Sequence, residues 1–287
     1  MGSPVSSLSP YQFAFNGWIF GAGTNYPVES VDGLLTTPDI RVQDDVRGYT
    51  DGSYSGRDFY SGRTVTINFV ILGTGSTSAQ QYYQTLQQNL YPQQLGTPSA
   101  LSSFQFQLNN NSTPGGLKIM YGRVRKVTTT IDPDFTYGHI LASVEFYFPD
   151  PRYYDYPFST VSSGTAMVND GWAISSPVIT VTGQTGIFSI TDSFSNSMSF
   201  NATSGSTVVI DCLQRVITQN GNPNRSILAT STGWLYIPPM TSNTFTASGC
   251  TISVSWSPAY VFSIYYNCII KHKSALQQSD SCGIATY

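Results

Sequence analysis

Glutamate and lysine are nearly missing from this chain. Of 287 residues, two are Glu (Glu29 and Glu145) and four are Lys (Lys118, Lys126, Lys271 and Lys273). Both are strong polar helix formers, so a helix-rich fold is not expected. Charged residues make up 10% of the chain, against about a quarter in ordinary globular proteins. The net charge is −3, and no basic run stands out that would bind nucleic acid by releasing counterions. No apolar run reaches the roughly 18 residues of a membrane-spanning helix. The first ten residues, MGSPVSSLSP, lack a basic stretch followed by an apolar core, so no signal peptide is expected.

The materials of catalysis are equally sparse. Paired carboxylates for acid–base hydrolysis have little to draw on with two glutamates. The two histidines, His139 and His272, do not accompany a nucleophile motif: Gly52-Ser53-Tyr54-Ser55-Gly56 has a tyrosine where a nucleophile elbow needs serine. Gly73-Thr74-Gly75 lacks the third glycine and the lysine of a phosphate-binding loop. Five aspartates, Asp39, Asp44, Asp45, Asp51 and Asp58, lie close together without the spacing of a calcium loop. They read as solvated, or as paired with Arg41, Arg47, Arg57 and Arg63. The four cysteines, Cys212, Cys250, Cys268 and Cys282, include no Cys-x-x-Cys step of the kind zinc sites use, and without a secretion signal they are expected to be free thiols. No catalytic, cofactor-binding or metal-ligating residue is assigned, and the chain is not expected to be an enzyme.

What is abundant is β-forming. Tyr and Phe number 19 and 16, Thr, Val and Ile are frequent, and Gly, Pro, Asn and Ser break the chain at short intervals. Such a chain folds: it is too aromatic and too weakly charged for disorder. Thr64 to Leu72 alternates as a strand with Val65, Ile67, Phe69 and Ile71 on one face. Gly138 to Phe148 does the same with Ile140, Ala142, Val144, Phe146 and Phe148, and Leu117 to Ile131 reads as a further strand. One helix is predicted over Ser78 to Tyr91, with Ala79, Tyr82, Tyr83, Leu86 and Leu90 on one side, a cap at Ser76 or Ser78, and Pro92 as its stop. Asp39 to Arg63 reads as a long loop or loose β-arm, and a connection of that length inside a compact domain points to a functional segment or a partner. The stiff stretch Pro149 to Pro157 divides the chain. Beyond it, short strands recur about every ten residues, as in a sandwich. Asn220-Gly221 marks a tight turn, and Asp211 is placed at a turn. The expected organisation is a first domain over residues 1–155, a second over 156–270 and a flexible tail over 271–287. Trp172, Trp234 and Tyr236 of the second domain are core residues in the plainer reading and glycan contacts in the sharper one.

The order of several motifs resembles a known family. The run GLLTTPDIRVQDDVRGYTDGSYSGRDFYSGRTVTINFVI is similar to the N-terminal half of siphophage distal tail proteins (Dit) and related minor tail proteins. Those carry a glycine-leucine step, a proline, an Arg/Asp-rich segment and a strand opening on Gly-Arg-Thr; here they are Gly33-Leu34, Pro38, Arg41 to Asp58, and Gly62-Arg63-Thr64-Val65. Asp150-Pro151-Arg152-Tyr153-Tyr154, the hairpin from Val208-Val209-Ile210-Asp211 to Arg215-Val216, and Pro258-Ala259-Tyr260 match later family motifs. The likeness spans about residues 11 to 267 and leaves the tail from Lys271 unmatched.

The resemblance implies an all-β fold with one helix: an N-terminal β-sandwich-like ring (belt) domain plus a C-terminal galectin-like β-sandwich. It implies a structural virion protein forming a hexameric ring between tail tube and tail tip or baseplate, around a channel for DNA. Expected partners are further copies of the chain, the tail tube protein and a tail hub or tail-associated protein, with DNA only as passing cargo and no cofactor. The expected location is the virion tail tip, after assembly in the host cytoplasm. The arm supplies the expected subunit-interface residues Asp44, Arg47, Asp51, Asp58 and Arg63. Two other readings stay open: a tail-tube subunit, and a carbohydrate-binding module using the second sandwich.

Overall fold

The computed structural model describes residues 3–92, 101–108 and 116–261. Among them the chain is nearly all strand, with a single α-helix, Ser76–Asn89, and two short 3-10 turns. The expected all-β fold with one helix is what is found.

The first part is built on one curved sheet. Its strands run in the spatial order Trp18–Gly21, Gln12–Phe15, Ser102–Gln107, Lys118–Thr130, His139–Phe148, Arg63–Leu72 and Val28–Asp32. The alternation read in the sequence sets which face is dry. Val65, Ile67, Phe69 and Ile71 point inward from one strand, and Ile140, Val144, Phe146 and Phe148 from its neighbour. The core is strongly aromatic: Phe104 lies 5.2 Å from Phe146 and 5.4 Å from Phe148 between ring centroids, and Phe15 lies 5.2 Å from Phe146. Tilted pairs of this kind add about 0.5–1.5 kcal/mol each beyond burial alone.

The helix closes the core with Ala79 and Leu86. It starts two residues earlier than the periodicity suggests. Its N-cap is Gly75, with no side-chain cap; Ser78, expected as a cap, instead donates its hydroxyl to the Gly75 carbonyl. The chain then turns at Leu90, whose N–H still bonds to Leu86.

The second part packs two sheets face to face. One comprises Ser159–Ser162, Thr251–Trp256, Val178–Thr182, Val208–Asp211, Val216–Gln219 and Asn222–Pro223. The other comprises Ala166–Asn169, Thr241–Ser248, Ile187–Asp192, Ser197–Asn201 and Leu228–Ser231. Ile179, Val181 and Ile210 from the first meet Ile190, Phe200 and Phe245 from the second in one core, as in a β-sandwich. Asn220 and Gly221 both adopt positive φ, the conformation a two-residue hairpin turn requires.

One strand crosses between the parts. Ala259–Tyr260, at the end of the sandwich, pairs with Tyr153–Asp155, which itself pairs with Lys118–Thr130 of the first sheet. Tyr260 thereby joins the first core, its ring stacked on Tyr153 at 5.7 Å.

Candidate assembly interface

The segment after Pro38 leaves the first sheet as a two-tier hairpin. Ile40–Arg41 pairs with Phe59–Tyr60 at its base, and Asp45–Val46 pairs with Ser53–Tyr54 nearer its tip. The base is tight, since the Ser61 N–H donates to the Asp39 carbonyl at 2.7 Å. Every residue from 39 to 60 is exposed. Seven of them are large apolar side chains, with Val46 at 86% and Tyr54 at 63% of full exposure. An isolated two-stranded hairpin is marginal in water, and a contiguous exposed apolar surface marks an interaction site.

The arm's charges do not neutralise one another. Among the described residues the ion pairs are Lys118–Asp155 and Arg152–Asp150, both outside the arm. The arm arginines lie over rings instead: Arg47 over Tyr54 at 4.9 Å, and Arg41 and Arg57 over Phe59 at 5.5 Å each. Asp44 accepts from the Gly56 N–H at 3.0 Å and so braces the hairpin. Asp45, Asp51 and Asp58 stand exposed.

Of the interface residues expected from the sequence, Asp44, Arg47, Asp51 and Asp58 ride on this arm, and Arg63 does not. Arg63 begins the strand at the arm's base and is 3% exposed. Its guanidinium donates to the carbonyls of Pro151 (3.1 Å), Gly33 (3.2 Å), Leu34 and Val261. Five donors in a planar fork suit such a cluster of carbonyls, so Arg63 is an internal tie and not a displayed charge. Gly33 is part of the same device. It adopts positive φ, and a Cβ there would collide with the Thr64 carbonyl.

The later motifs build the junction between the two parts. Asp150 accepts from Arg152 Nε at 2.7 Å and from the Tyr154 hydroxyl at 2.6 Å, while Arg152 reaches the Ile174 carbonyl of the second part. Burial, and then the Asp150 charge, push the Tyr154 phenol well above its ordinary range. Lys118 is buried against Asp155 and the Tyr260 ring, and the Tyr260 hydroxyl donates to Asp155 at 3.2 Å. Burial lowers the Lys118 pKa despite the pull of Asp155.

The aromatic trio of the second part is dispersed in role. Trp234 packs against the sandwich core with Arg225 6.0 Å from its ring, Tyr236 is half-buried, and Trp172 is exposed. None of them lines either of two surface clefts of about 810 and 620 Å³. Asp211 has the turn role expected of it, accepting from the N–H groups of Leu213 and Gln214. Among the described residues no three His, Cys, Asp or Glu side chains converge to hold a metal ion, and no helix is long and apolar enough to cross a membrane. Cys268, Cys282 and the 271–287 tail lie outside the described residues.

The class this fold defines is that of all-β chains with a single helix and an exposed two-stranded arm. Two comparisons with known proteins agree with it. Residues 170–260 match the family described as siphovirus-type tail component, C-terminal domain. The chain also shares its fold with the crystal structure of the Dit protein of phage SPP1, described as a paradigm of the hub adsorption apparatus in phages infecting Gram-positive hosts. That likeness has a TM-score of 0.62 at 15% identity and covers 86% of this chain and 98% of that one. A chain of the phage p2 baseplate, in its activated conformation with strontium, gives 0.51 at 6% identity, covering 88% and 99%. No curated protein sequence shows a significant match to the chain. Residues 170–260 thus resemble a siphovirus-type tail component, and the chain as a whole shares the fold of a Dit protein.

Proposed function

We propose that this chain forms a hexameric ring at the distal end of the tail, joining the tail tube protein to a tail hub or tip and leaving a channel through which DNA passes. Residues 1–155 form the ring. The sandwich from 156, galectin-like in this reading, projects outward. The assembly forms in the host cytoplasm and ends at the virion tail tip.

The observation that carries this reading is the arm. Twenty-two consecutive exposed residues, seven of them large and apolar, make no core of their own. An arm on one side of a subunit and its receptor on another make a head-to-tail contact, and such contacts close into rings when the rotation allows. Arm residues Asp44, Arg47, Asp51 and Asp58 set register in that contact, since charge patterns select partners more than they add affinity.

The test is electron microscopy and sedimentation of the full chain beside a variant lacking residues 40–60. Asp39 and Ser61 are already hydrogen-bonded, so a short glycine link closes the gap without disturbing the sheet. The full chain should form discrete rings and the deletion variant should be a folded monomer. Long tubes from the full chain would favour the tail-tube reading. Rings from the armless variant, or a full chain that stays monomeric, would overturn the proposal.

A further inference from the structure

A β-bulge in the strand Lys118–Thr130 creates a charged surface that simple alternation would not. Val124 faces Phe146 and Lys126 faces Glu145, so Arg125 is an extra residue between them. Bulges re-aim side chains in this way. Val124 stays in the core and Val127 packs against it. Arg125 and Lys126 both emerge exposed beside half-buried Arg123, gathering three cations in four residues of a chain with only 13 Lys and Arg in all.

The two arginines lie over one ring. Arg125 lies 3.5 Å from the Tyr147 ring centroid and Arg123 lies 5.9 Å from it. Tyr147 is packed in turn against Gly62, where a Cβ would strike its ring. Among the described residues none of the three makes an ion pair: the pairs there are Lys118–Asp155 and Arg152–Asp150. On the same face Glu145 stands opposite Lys126, Thr64 and Thr66 follow on the next strand, and Asp32 stands opposite Thr66 beyond them, so the cations are concentrated at the Arg123–Lys126 side of the face.

The arm is the matching surface. From 39 to 60 it carries five aspartates against three arginines, a net charge of −2. Its arginines are engaged with its own rings, while Asp45, Asp51 and Asp58 are exposed. Resting on the ring assembly proposed above, we infer that the acidic arm of one subunit lies across the sheet face of the next, over Arg123, Arg125 and Lys126. Guanidinium groups already fixed on Tyr147 lose little freedom when a carboxylate arrives. The arm and the basic face lie on different elements, so the contact is head-to-tail.

Two charge reversals test this: Asp45→Lys with Asp51→Lys on the arm, and Arg125→Glu with Lys126→Glu on the face. All four side chains are exposed, and circular dichroism checks that the variants fold. By sedimentation each variant alone should self-associate about 10- to 100-fold more weakly than the unaltered chain. Mixed together they should form rings again, because each then meets a partner of opposite sign. If the face variant alone makes normal rings while the arm variant does not, the receptor is elsewhere and this inference falls, though the ring reading stands. The inference also falls if mixing restores nothing, or if the face variant keeps its rings and loses only retention on a DNA column. An unaltered chain that never assembles removes both readings.

Discussion

Arg63 donates a hydrogen bond to the main-chain carbonyl of Val261, 198 residues further along the chain. The same guanidinium holds Gly33, Leu34 and Pro151. It thus ties the first sheet, the segment leading to the arm and the end of the sandwich to one point.

Removing that tie should be costly. Arg63→Ala leaves four carbonyls without their donor in a buried site, and losses of about 3 kcal/mol or more are typical of such changes. Arg63→Lys should recover little, because one ammonium lacks the planar fork. Urea denaturation checks both, and a loss under about 1 kcal/mol for the alanine variant would show that water replaces the guanidinium.

Much of the fold was legible because strands with one wet face advertise it. Thr64 to Leu72 and Gly138 to Phe148 alternate cleanly and lie within a residue of the observed strands Arg63–Leu72 and His139–Phe148. Ser102–Gln107 was not legible. All six of its residues are buried, including Gln105, which is satisfied by both the N–H (2.7 Å) and the carbonyl (2.9 Å) of Val5. A polar side chain that replaces a strand partner looks like a surface residue in sequence. The crossing strand Ala259–Tyr260 is two residues long, too short to carry a period. At the site, composition and charge density marked the arm. Arg63 was misplaced because a charged residue beside a charged segment gives no sign of burial. The basic face was hidden because only a register shift puts Arg125 and Lys126 on the same side.

Asn169 is a second internal tie whose isostere should fail. Its amide donates to the carbonyls of Ala173 (2.8 Å), Pro238 (3.0 Å) and Ile237 (3.2 Å), and its oxygen accepts from the N–H groups of Gly171 (3.0 Å) and Ala259 (3.3 Å). Asn169→Asp keeps the shape and turns the donating nitrogen into an acceptor facing carbonyls. The expected loss is about 3 kcal/mol near neutral pH, with partial recovery in acid as the carboxyl takes up a proton. Thermal unfolding at two pH values reads both effects, and equal Tm losses at both would contradict the donor role.

Cys212 is buried and Cys250 half-buried, and both are free thiols. Thiol titration of denatured, unreduced protein should count four free groups if the chain assembles in a reducing cytosol as proposed. In native protein Cys212 should resist reagent until unfolding, since burial and then Asp211 push its thiol up to about 12. A native Cys212 that reacts as fast as a free peptide thiol would mean that the sandwich opens locally.

Alkali should unfold the protein through the same buried groups. Burial, before any other cause, raises Tyr26, Tyr121, Tyr153 and Tyr154 above the ordinary 10.0, and Cys212 and Cys250 above 9.0. For a raised group the folded state holds its proton longer. The stability it contributes is therefore intact below the ordinary pKa and is lost as pH rises through the folded one. Lys118 works in the opposite sense. Its pKa is lowered, so its contribution improves as pH climbs toward 10.5. Six raised groups outweigh it, and stability should fall from about pH 9 upward. Cys212 alone acts between 9.0 and about 12, where one group changes stability by about 1.4 kcal/mol per pH unit. Cys212→Ala should therefore flatten the alkaline slope of the unfolding free energy, read from urea denaturation, by that amount, whatever its effect at neutral pH. An unchanged slope would mean that Cys212 ionises as readily in the folded sandwich as in the open chain.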